Sequence, residues 1–510
     1  MPRSAAAIPV VLFAVLAMVF WEGIGAWDAP YYISAATDWY EWPPSLGENH
    51  WYLRYPLILP MAGSFALFGY GEFSATLPNI VMGLLLVIVS TIAAWRHLGA
   101  FTGLALGCLV ATSYPLVISP MDIEILGPEL LFAAGALWLF VEALDRAEVE
   151  RRDWIAPALL AGLAAGAAWL CRETAAFVPA TVAAVVLMSG FARRPFAVAV
   201  AVAAGSGTVI VAELLLYTVV AGDPLYRVNI ALVHGETARS NAAKNTLFGA
   251  MLLKSWHDWL LAPFTRIARL PNVYLFLVLA VVAGAWLFVI RRPLERSTVR
   301  IVIVFATAGV MSLVLTSYVM SLEHPRYFMM LSYGALVVVA IALGEVRRWI
   351  DRRLVVAALV LLCLTGPIFA DFRRDMVMPR FRGLADFVEM QREVIYLPPY
   401  DAAYTKLQLR LRGAPPEVSD LLVSEELPGP GDLYFIMERE PQAAGDEGAS
   451  PLPEVVHTVP LQESSLFRRL VAQVAPPSLL PARLRNRLDR SSRPAVVLRK
   501  TKEEVGDLDE

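Results

Sequence analysis

Charged side chains stand close to the ends of long apolar runs in this sequence, and they are the first candidates for chemistry. Asp28 follows the first of these runs, and Glu129 opens a later one. A charge beside the apolar core of a membrane is costly, so a charge found there is a functional candidate. A carboxylate at a membrane surface can act as a general base that takes the proton from an attacking hydroxyl. Asp28 is the candidate for that role.

Local structure offers a second explanation for each carboxylate. Asp28 could cap a helix over Pro30–Trp39, because proline is favoured near the first helical position and a carboxylate accepts backbone N–H bonds. Glu129 could simply favour the positive end of a helix dipole. The sequence leaves both explanations open.

Basic residues near run ends on the predicted outer side form the second group of candidates. They are Arg54, Arg172, His324 and Arg326. Arg172 could instead pair with the adjacent Glu173 and only interrupt an apolar run. Arg326 could be an interfacial anchor whose side chain reaches the headgroup region, and His324 could face water.

The composition identifies the setting of these residues. Of the 510 residues, 57% are apolar and only 17% are charged, whereas soluble domains carry roughly 25% charged residues. This excludes a disordered chain and argues against a soluble multidomain enzyme. Cys108, Cys171 and Cys363 all lie in apolar runs, so neither a disulfide framework nor a zinc knuckle is implied. The sequence therefore predicts a polytopic membrane protein.

The apolar runs predict about eleven membrane spans of roughly 20 residues each. These are Ala7–Trp27, Phe73–Trp95, Phe101–Ser119, Leu126–Leu144, Trp154–Leu170, Thr174–Gly190, Pro195–Val220, Val273–Ile290, Ile301–Leu322, Tyr327–Gly344 and Leu354–Ala370. The first run is long for a cleaved signal and is interpreted as a retained span. Pro56–Phe68 is shorter and is predicted to be a re-entrant or interfacial helix.

Arginine placement predicts the orientation of these spans. Alternate loops are rich in arginine, which is typical of the cytoplasmic side. The N-terminus is therefore predicted to be cytoplasmic, with a first outer loop at 28–72 and a long outer loop at 222–272. An odd number of spans places the C-terminus outside.

Residues 371–510 differ in composition from the spans, since they are rich in charge and proline. Their patterns predict helices over Phe381–Arg392 and Ala402–Leu411 and strands over Val394–Leu397, Leu433–Glu438 and Val496–Arg499. Gln442–Pro453 is predicted to be a loop, and a flexible tail begins at about Pro476. The predicted fold is mainly α, with a helical membrane bundle at 1–370 and a small extracytoplasmic α/β domain at 371–510.

Several short motifs together resemble a known superfamily. After Asp28 come an aromatic-rich loop, a Tyr-Pro helix start at 55–56, a helix ending Leu-Phe-Gly at 67–69 and Ala-Thr-Leu-Pro at 75–78. Further along are Thr-Ser-Tyr-Pro at 112–115, Arg-Glu-Thr at 172–174 and Glu-His-Pro-Arg-Tyr at 323–327. Their order from about Trp21 to Gly344 resembles the GT-C glycosyltransferases. The nearest groups are the family 39 protein mannosyltransferase and aminoarabinose transferase relatives.

The resemblance implies that a sugar moves from a polyprenyl-phosphate carrier to an acceptor hydroxyl or amine at the outer face, with Asp28 as the base. The mannosyltransferases have an acidic pair at the first-loop position, whereas Ala29 follows Asp28 here. Glu129 could supply the second carboxylate, as an acid or an acceptor contact.

The carrier's phosphate must gain negative charge as it leaves, and cations at headgroup depth can stabilise it. Arginine binds phosphate in a bidentate fork. The resemblance thus implies phosphate binding by Arg54, Arg172, Arg326 and His324.

The first-loop aromatics most simply form an interfacial belt. Among them, Tyr31, Tyr32 and Tyr55 are candidates to contact the sugar or the acceptor.

The expected partners are the lipid-linked donor, a cell-envelope glycan, lipid or protein acceptor, and membrane lipids, without nucleic acid. No cofactor is certain; a phosphate donor could bring a divalent metal, although no dense cluster of ligands argues for one. The expected location is a bacterial inner membrane.

Two other functions stay open from the sequence. A transporter or flippase for lipid-linked sugars would place its ionisable groups near the bilayer midplane and often show repeated halves. Here the charges cluster at the outer surface and no repeat stands out. The second open function is that of an inactive GT-C-like assembly partner, because Ala29 stands where the mannosyltransferases have the second residue of their acidic pair.

Overall fold

The structure is a computed structural model of the whole chain. It describes residues 3–21, 23–24, 28–40, 46–47, 49–113, 123–149, 152–188, 194–230, 271–289, 294–319, 328–373, 378–424, 432–436, 454–459 and 495–499. The predicted loop Gln442–Pro453 lies outside these residues, as do His324, Arg326, most of the long loop 222–272 and most of the tail.

The chain divides into two compact units. The membrane unit consists of Met1–Glu22, Tyr31–Phe68 and Ser74–Ala370. The C-terminal unit consists of Asp371–Glu510 together with two earlier segments, Gly23–Pro30 and Gly69–Phe73. Asp28 therefore belongs to the C-terminal unit.

Helices account for nearly all of the described part of the membrane unit. They are α1 (Ile8–Phe20), α2 (Ala29–Tyr40), α3 (Tyr55–Phe68), α4 (Glu72–Leu98), α5 (Ala100–Thr112), α6 (Leu126–Glu148), α7 (Ile155–Cys171), α8 (Phe177–Met188), α9 (Pro195–Ala221), α10 (Pro271–Val289), α11 (Arg296–Val314), α12 (Met329–Val346) and α13 (Arg352–Arg373). Within the described residues, five helices are long and apolar enough to cross a membrane: α4, α6, α9, α11 with its C-terminal extension, and α12. The prediction of a mainly helical membrane protein is confirmed. The count of eleven spans and the orientation stay predictions.

The first helix is shorter than the sequence predicts. The apolar run suggested a span to Trp27, but α1 ends at Phe20. The backbone of Trp21 is extended, and its indole Nε1 donates a hydrogen bond of 3.0 Å to Thr76 Oγ1. The apolar run by itself predicts a longer helix. The extended backbone at Trp21 accompanies a contact with Thr76, which is distant in sequence and therefore not visible in the local pattern.

Close packing joins α7 to α9. A Cβ atom added to Gly205 would lie 2.3 Å from the carbonyl oxygen of Leu159 and 2.9 Å from the Cα atom of Gly162. Small residues let membrane helices approach at backbone distance. The glycines therefore set the spacing of the two helices.

Charged pairs link α4, α6 and α11 at one end of the bundle. Arg300 is buried and donates hydrogen bonds to Asp145 and Glu148. Arg96 donates to Glu142 Oε1 at 2.7 Å, although its side chain is mostly exposed. Arginines that the sequence explained only through orientation thus also link helices.

The described part of the C-terminal unit contains three helices and one mixed sheet. The helices are α14 (Met378–Gln391), α15 (Pro399–Leu411) and α16 (Pro416–Ser419), and the strands are β1 (Ile395–Tyr396), β2 (Leu422–Val423), β3 (Leu433–Ile436), β4 (Glu454–Val459) and β5 (Ala495–Arg499). The strand order is β2-β1-β3-β5-β4, with β1 parallel to both neighbours and β5 antiparallel to both of its own. The sequence did not predict β2 or β4. Phe387 and Val388 of α14 pack with Ile395, Leu433 and Val497 of the sheet in one core.

Candidate functional site

Arg54 lies at the start of α3, after a 3-10 turn over His50–Leu53. Only 6% of the residue is exposed, which is unusual for arginine. Its guanidinium donates a hydrogen bond to the hydroxyl of Tyr32 and lies 5.6 Å from the centroid of that ring. Tyr32 is fully buried in α2, so α2 fixes the position of this cation.

Glu129 occupies the first turn of α6 and is 6% exposed. Its Oε1 accepts a hydrogen bond of 2.5 Å from Thr174 Oγ1. Its Oε2 is buried and has no hydrogen-bond partner among the described residues. The charges of Arg172 and Arg54 both act on this carboxylate. The structure therefore brings together three of the predicted site residues.

A polar turn between α7 and α8 supplies the neighbours of Glu129. The helix α7 ends at Cys171, Arg172 is extended, and a 3-10 turn follows over Glu173–Ala176. This turn places the Thr174 hydroxyl on Glu129. Glu173, which the sequence suggested as a partner of Arg172, forms an ion pair of 3.0 Å with Arg227.

Arg227 is a buried residue that the sequence analysis missed. Its Nε donates to Glu213 Oε1 at 2.6 Å, and its Nη2 donates to the carbonyl oxygen of Leu53 at 2.6 Å and to that of Leu170 at 3.3 Å. Leu53 directly precedes Arg54, and Leu170 closely precedes Arg172. One guanidinium thus joins the backbones that carry both site arginines.

Two pKa shifts reflect this network. Burial acts to lower the pKa of Arg227, whereas the carboxylates of Glu213 and Glu173 beside it act to raise it. The effect of the charged neighbours is larger than that of burial, so the pKa of Arg227 lies above its usual value. For Glu173, burial raises the pKa and the Arg227 charge lowers it, with a net lowering. Both groups are therefore held in their charged forms.

The sequence does contain a signal for one member of this network, Glu213. Glu213 lies inside the 27-residue apolar helix α9, and an ionisable residue in a span is a functional candidate by default. Its pairing with Arg227 carried no signal, because the two residues lie on different elements.

A small cavity opens beside Glu129. Its polar lining consists of Glu129, Thr174, Ser312 and Thr316, and leucine, phenylalanine and methionine side chains form the rest. The four polar residues come from α6, the turn after α7, and the C-terminal end of α11. The sequence analysis named Ser312 and Thr316 nowhere.

The other predicted aromatic contacts are part of the packing around this cluster. Tyr31 is 45% exposed and stacks on Trp51 with ring centroids 4.3 Å apart. Tyr55 is buried, and its ring lies 6.3 Å from that of Tyr217. Tyr217 in turn donates a hydrogen bond of 2.9 Å to Glu213.

Asp28 directly precedes α2 and is half-buried. Its segment also contains Gly23, where a Cβ atom would lie 2.0 Å from Arg382 Nη2 and 2.4 Å from Glu72 Oε2. Arg382 and Glu72 form an ion pair of 2.7 Å within the C-terminal unit. The role of Asp28 as a base stays a prediction, as do the roles of Arg326 and His324. Within the described residues, no group of three or more His, Cys, Asp and Glu side chains could hold a metal ion.

Comparison with known proteins identifies the fold. The sequence matches the family model for dolichyl-phosphate-mannose-protein mannosyltransferase over residues 58–217. The oligosaccharyltransferase AglB of Archaeoglobus fulgidus, solved with an inhibitory peptide and a dolichol-phosphate, superposes with a TM-score of 0.50 at 13% identity and covers 82% of this chain. The chain has the GT-C fold. The predicted resemblance is thereby confirmed.

Other solved structures extend this comparison. The apo form of the same archaeal oligosaccharyltransferase gives a TM-score of 0.51 at 12% identity, over 83% of this chain. The GT-C chain described here spans 64% of the length of these oligosaccharyltransferase chains. ArnT from Cupriavidus metallidurans bound to undecaprenyl phosphate gives 0.46 at 16% identity, over 82% of this chain and 74% of its own. Among curated proteins, none matches the sequence significantly.

Proposed function

We propose that this chain is a membrane glycosyltransferase of the bacterial inner membrane. It moves a sugar from a polyprenyl-phosphate carrier to an acceptor hydroxyl or amine at the outer face. The acceptor is a cell-envelope glycan, lipid or protein, and Asp28 is the general base.

The observation that carries the proposal is the polar cluster of the buried Arg54 and Glu129 with the half-buried Arg172. Two arginines at one end of a helical membrane bundle suit a lipid phosphate, because such a headgroup sits at that depth and guanidinium binds phosphate oxygens. The GT-C fold supports this assignment. The AglB structure of that fold contains a dolichol-phosphate, which supports a lipid phosphate as the carrier.

The reaction requires one bond to form and one to break. The acceptor oxygen or nitrogen attacks the anomeric carbon of the sugar, and the bond from that carbon to the phosphate oxygen breaks. The phosphate leaves with the electron pair, and Arg54 and Arg172 stabilise its charge, together with Arg326 and His324. Asp28 takes the proton from the acceptor.

The test measures free polyprenyl phosphate released from a panel of lipid-phosphate sugars, with bacterial membrane extract as acceptor. A general base contributes roughly 100-fold or more to the rate, so Asp28→Asn is expected to lower release by at least that factor. Asp38→Asn, which changes an aspartate within the helix that Asp28 precedes, is the matched control and is expected to keep wild-type release.

The outcomes separate the competing functions. Wild-type release that is unchanged in Asp28→Asn would exclude Asp28 as the base. Absence of release from every donor, together with movement of donor across sealed vesicles, would identify a transporter instead. Absence of both, with a stably bound partner protein, would identify an assembly factor.

A further inference from the structure

His97 stands between two carboxylates at the end of the bundle where charged pairs link α4, α6 and α11. It is the second-last residue of α4 and lies beyond the predicted span Phe73–Trp95. Its Nε2 is 3.2 Å from a carboxylate oxygen of Glu142, and its Nδ1 is 3.1 Å from one of Asp145. The side chain of His97 is only 9% exposed. Both ring nitrogens therefore lie close to negative charge, with little access to water.

These contacts bear on the charge of the ring. A neutral imidazole has one N–H and one nitrogen with a lone pair, whereas imidazolium has an N–H on both nitrogens. If the ring of His97 were neutral, one nitrogen would hold its lone pair close to a carboxylate oxygen, and the two would repel each other. If it is charged, both nitrogens carry a proton and the positive ring attracts both carboxylates. The geometry thus favours imidazolium.

The charges around the ring lead to the same result. The cluster includes groups from all three helices: Arg96, Glu142, Asp145, Arg146, Glu148 and Arg300. Three of them have side chains that are 30% or more exposed, and water screens their charges: Arg96, Arg146 and Glu148. Glu142, Asp145 and Arg300 are at most 24% exposed. The charges of these three shielded groups balance only if His97 is positive.

An aromatic ring on one face of His97 also favours a cation. The ring of Trp138 is parallel to that of His97 within 16°, with the two centroids 6.0 Å apart. The electron-rich face of tryptophan attracts a cation at about this distance. The indole Nε1 of Trp138 donates a hydrogen bond of 2.9 Å to the hydroxyl of Tyr333, which holds the indole in place.

From these contacts and this charge balance, we propose that His97 is a proton-binding site and that its proton joins α4 to α6. A histidine in an unfolded chain is mostly neutral above about pH 7, so the folded protein holds a proton that the unfolded chain does not. Because the folded state binds more protons, its stability falls as the pH rises. The inference does not depend on the proposed function.

Isotope labelling of the histidine nitrogens tests the charge directly. Solid-state NMR of the full chain in lipid bilayers near neutral pH resolves the ring signals, and their loss in His97→Gln assigns them. If that variant does not fold, replacing the other histidines assigns the signals by elimination. Both nitrogens are expected to give the signal of a protonated ring nitrogen. The signal of a nitrogen with a lone pair would overturn the proposal.

The second measurement is the unfolding equilibrium of the detergent-solubilised protein from about pH 6 to about pH 9. One extra proton in the folded state raises the unfolding equilibrium constant by up to about tenfold for each pH unit. His97→Gln cannot bind this proton, so its unfolding should depend less on pH. His50→Gln, which changes a histidine of the first outer loop, is the matched control and should keep the wild-type dependence. The same pH dependence in His97→Gln as in the wild type would refute the proton link between the helices.

Discussion

At the scale of single residues, the most informative group is the guanidinium of Arg227. It connects Glu213 and Glu173 with the carbonyl oxygens of Leu53 and Leu170. The side chains of Arg227 and Glu213 are only 7% and 5% exposed. Removing one partner of a buried pair leaves the other charge without compensation, at a cost of roughly 3–5 kcal/mol.

Arg227→Met is therefore expected to lower the free energy of unfolding by about 3–5 kcal/mol. The double variant Arg227→Met with Glu213→Leu should recover part of that loss, because it also removes the buried Glu213 charge, while the more exposed Glu173 can be solvated by water. Thermal unfolding of the detergent-solubilised protein checks this, and release of polyprenyl phosphate is measured in parallel.

The double variant separates stability from positioning. It lacks the hydrogen bond to Leu53, the residue before Arg54, so its phosphate release is expected to stay low after stability returns. Release at the wild-type level in the double variant would show that Arg227 has a purely structural role.

At the scale of elements, the crossing of α7 and α9 controls the site, because α7 leads into Arg172 and α9 carries Glu213. The neighbours of an added methyl at Gly205 are backbone atoms, which cannot rotate away. Overpacking of this kind costs roughly 1–3 kcal/mol.

Gly205→Ala is expected to lower stability by about that amount and to reduce phosphate release. Gly207→Ala, two residues along the same helix, meets nothing within 4 Å and should be neutral or slightly stabilising. Unfolding curves of the two alanine variants measure the difference in their stability. Equal stability would contradict the close helix crossing.

At the scale of the whole molecule, the C-terminal unit includes the segment that carries Asp28. Gly23 has a φ of +83° and packs against the Arg382–Glu72 ion pair. Gly69 has a similar φ of +80° but no atom within 4 Å of an added Cβ. An alanine at either position would therefore meet the same backbone strain, but the two positions differ in their contacts.

Gly23→Ala is expected to reduce phosphate release more than Gly69→Ala, because only the first substitution displaces the ion pair from the Asp28 segment. The strain of a positive φ is common to both and cancels in the comparison. Similar activity in the two variants would show that the C-terminal unit does not position this segment.

Orientation also belongs to the whole molecule. If the arginine-rich loops are cytoplasmic, a protease added to intact spheroplasts should remove a tag placed after Glu510 and spare a tag placed before Met1. The same protease added to lysed cells should remove both. Protection of the C-terminal tag in intact spheroplasts would contradict an outer C-terminal unit.

The sequence by itself determined the membrane class, the positions of the long helices and three members of the polar cluster. Apolar length predicts helices because a membrane requires every backbone polar group to be bonded within the segment. The cost of charge near that environment marked Arg54, Arg172 and Glu129 as candidates.

Only the tertiary structure decided how these groups are held and what surrounds them. Arg227 and Glu213 pair across 14 positions, and Tyr32 binds Arg54 across 22. Ser312 and Thr316 gave no signal, because a hydroxyl in an apolar helix usually bonds to its own preceding turn, as Thr316 does. Their place on a cavity depends on the packing of α11 against other helices, which local pattern does not encode.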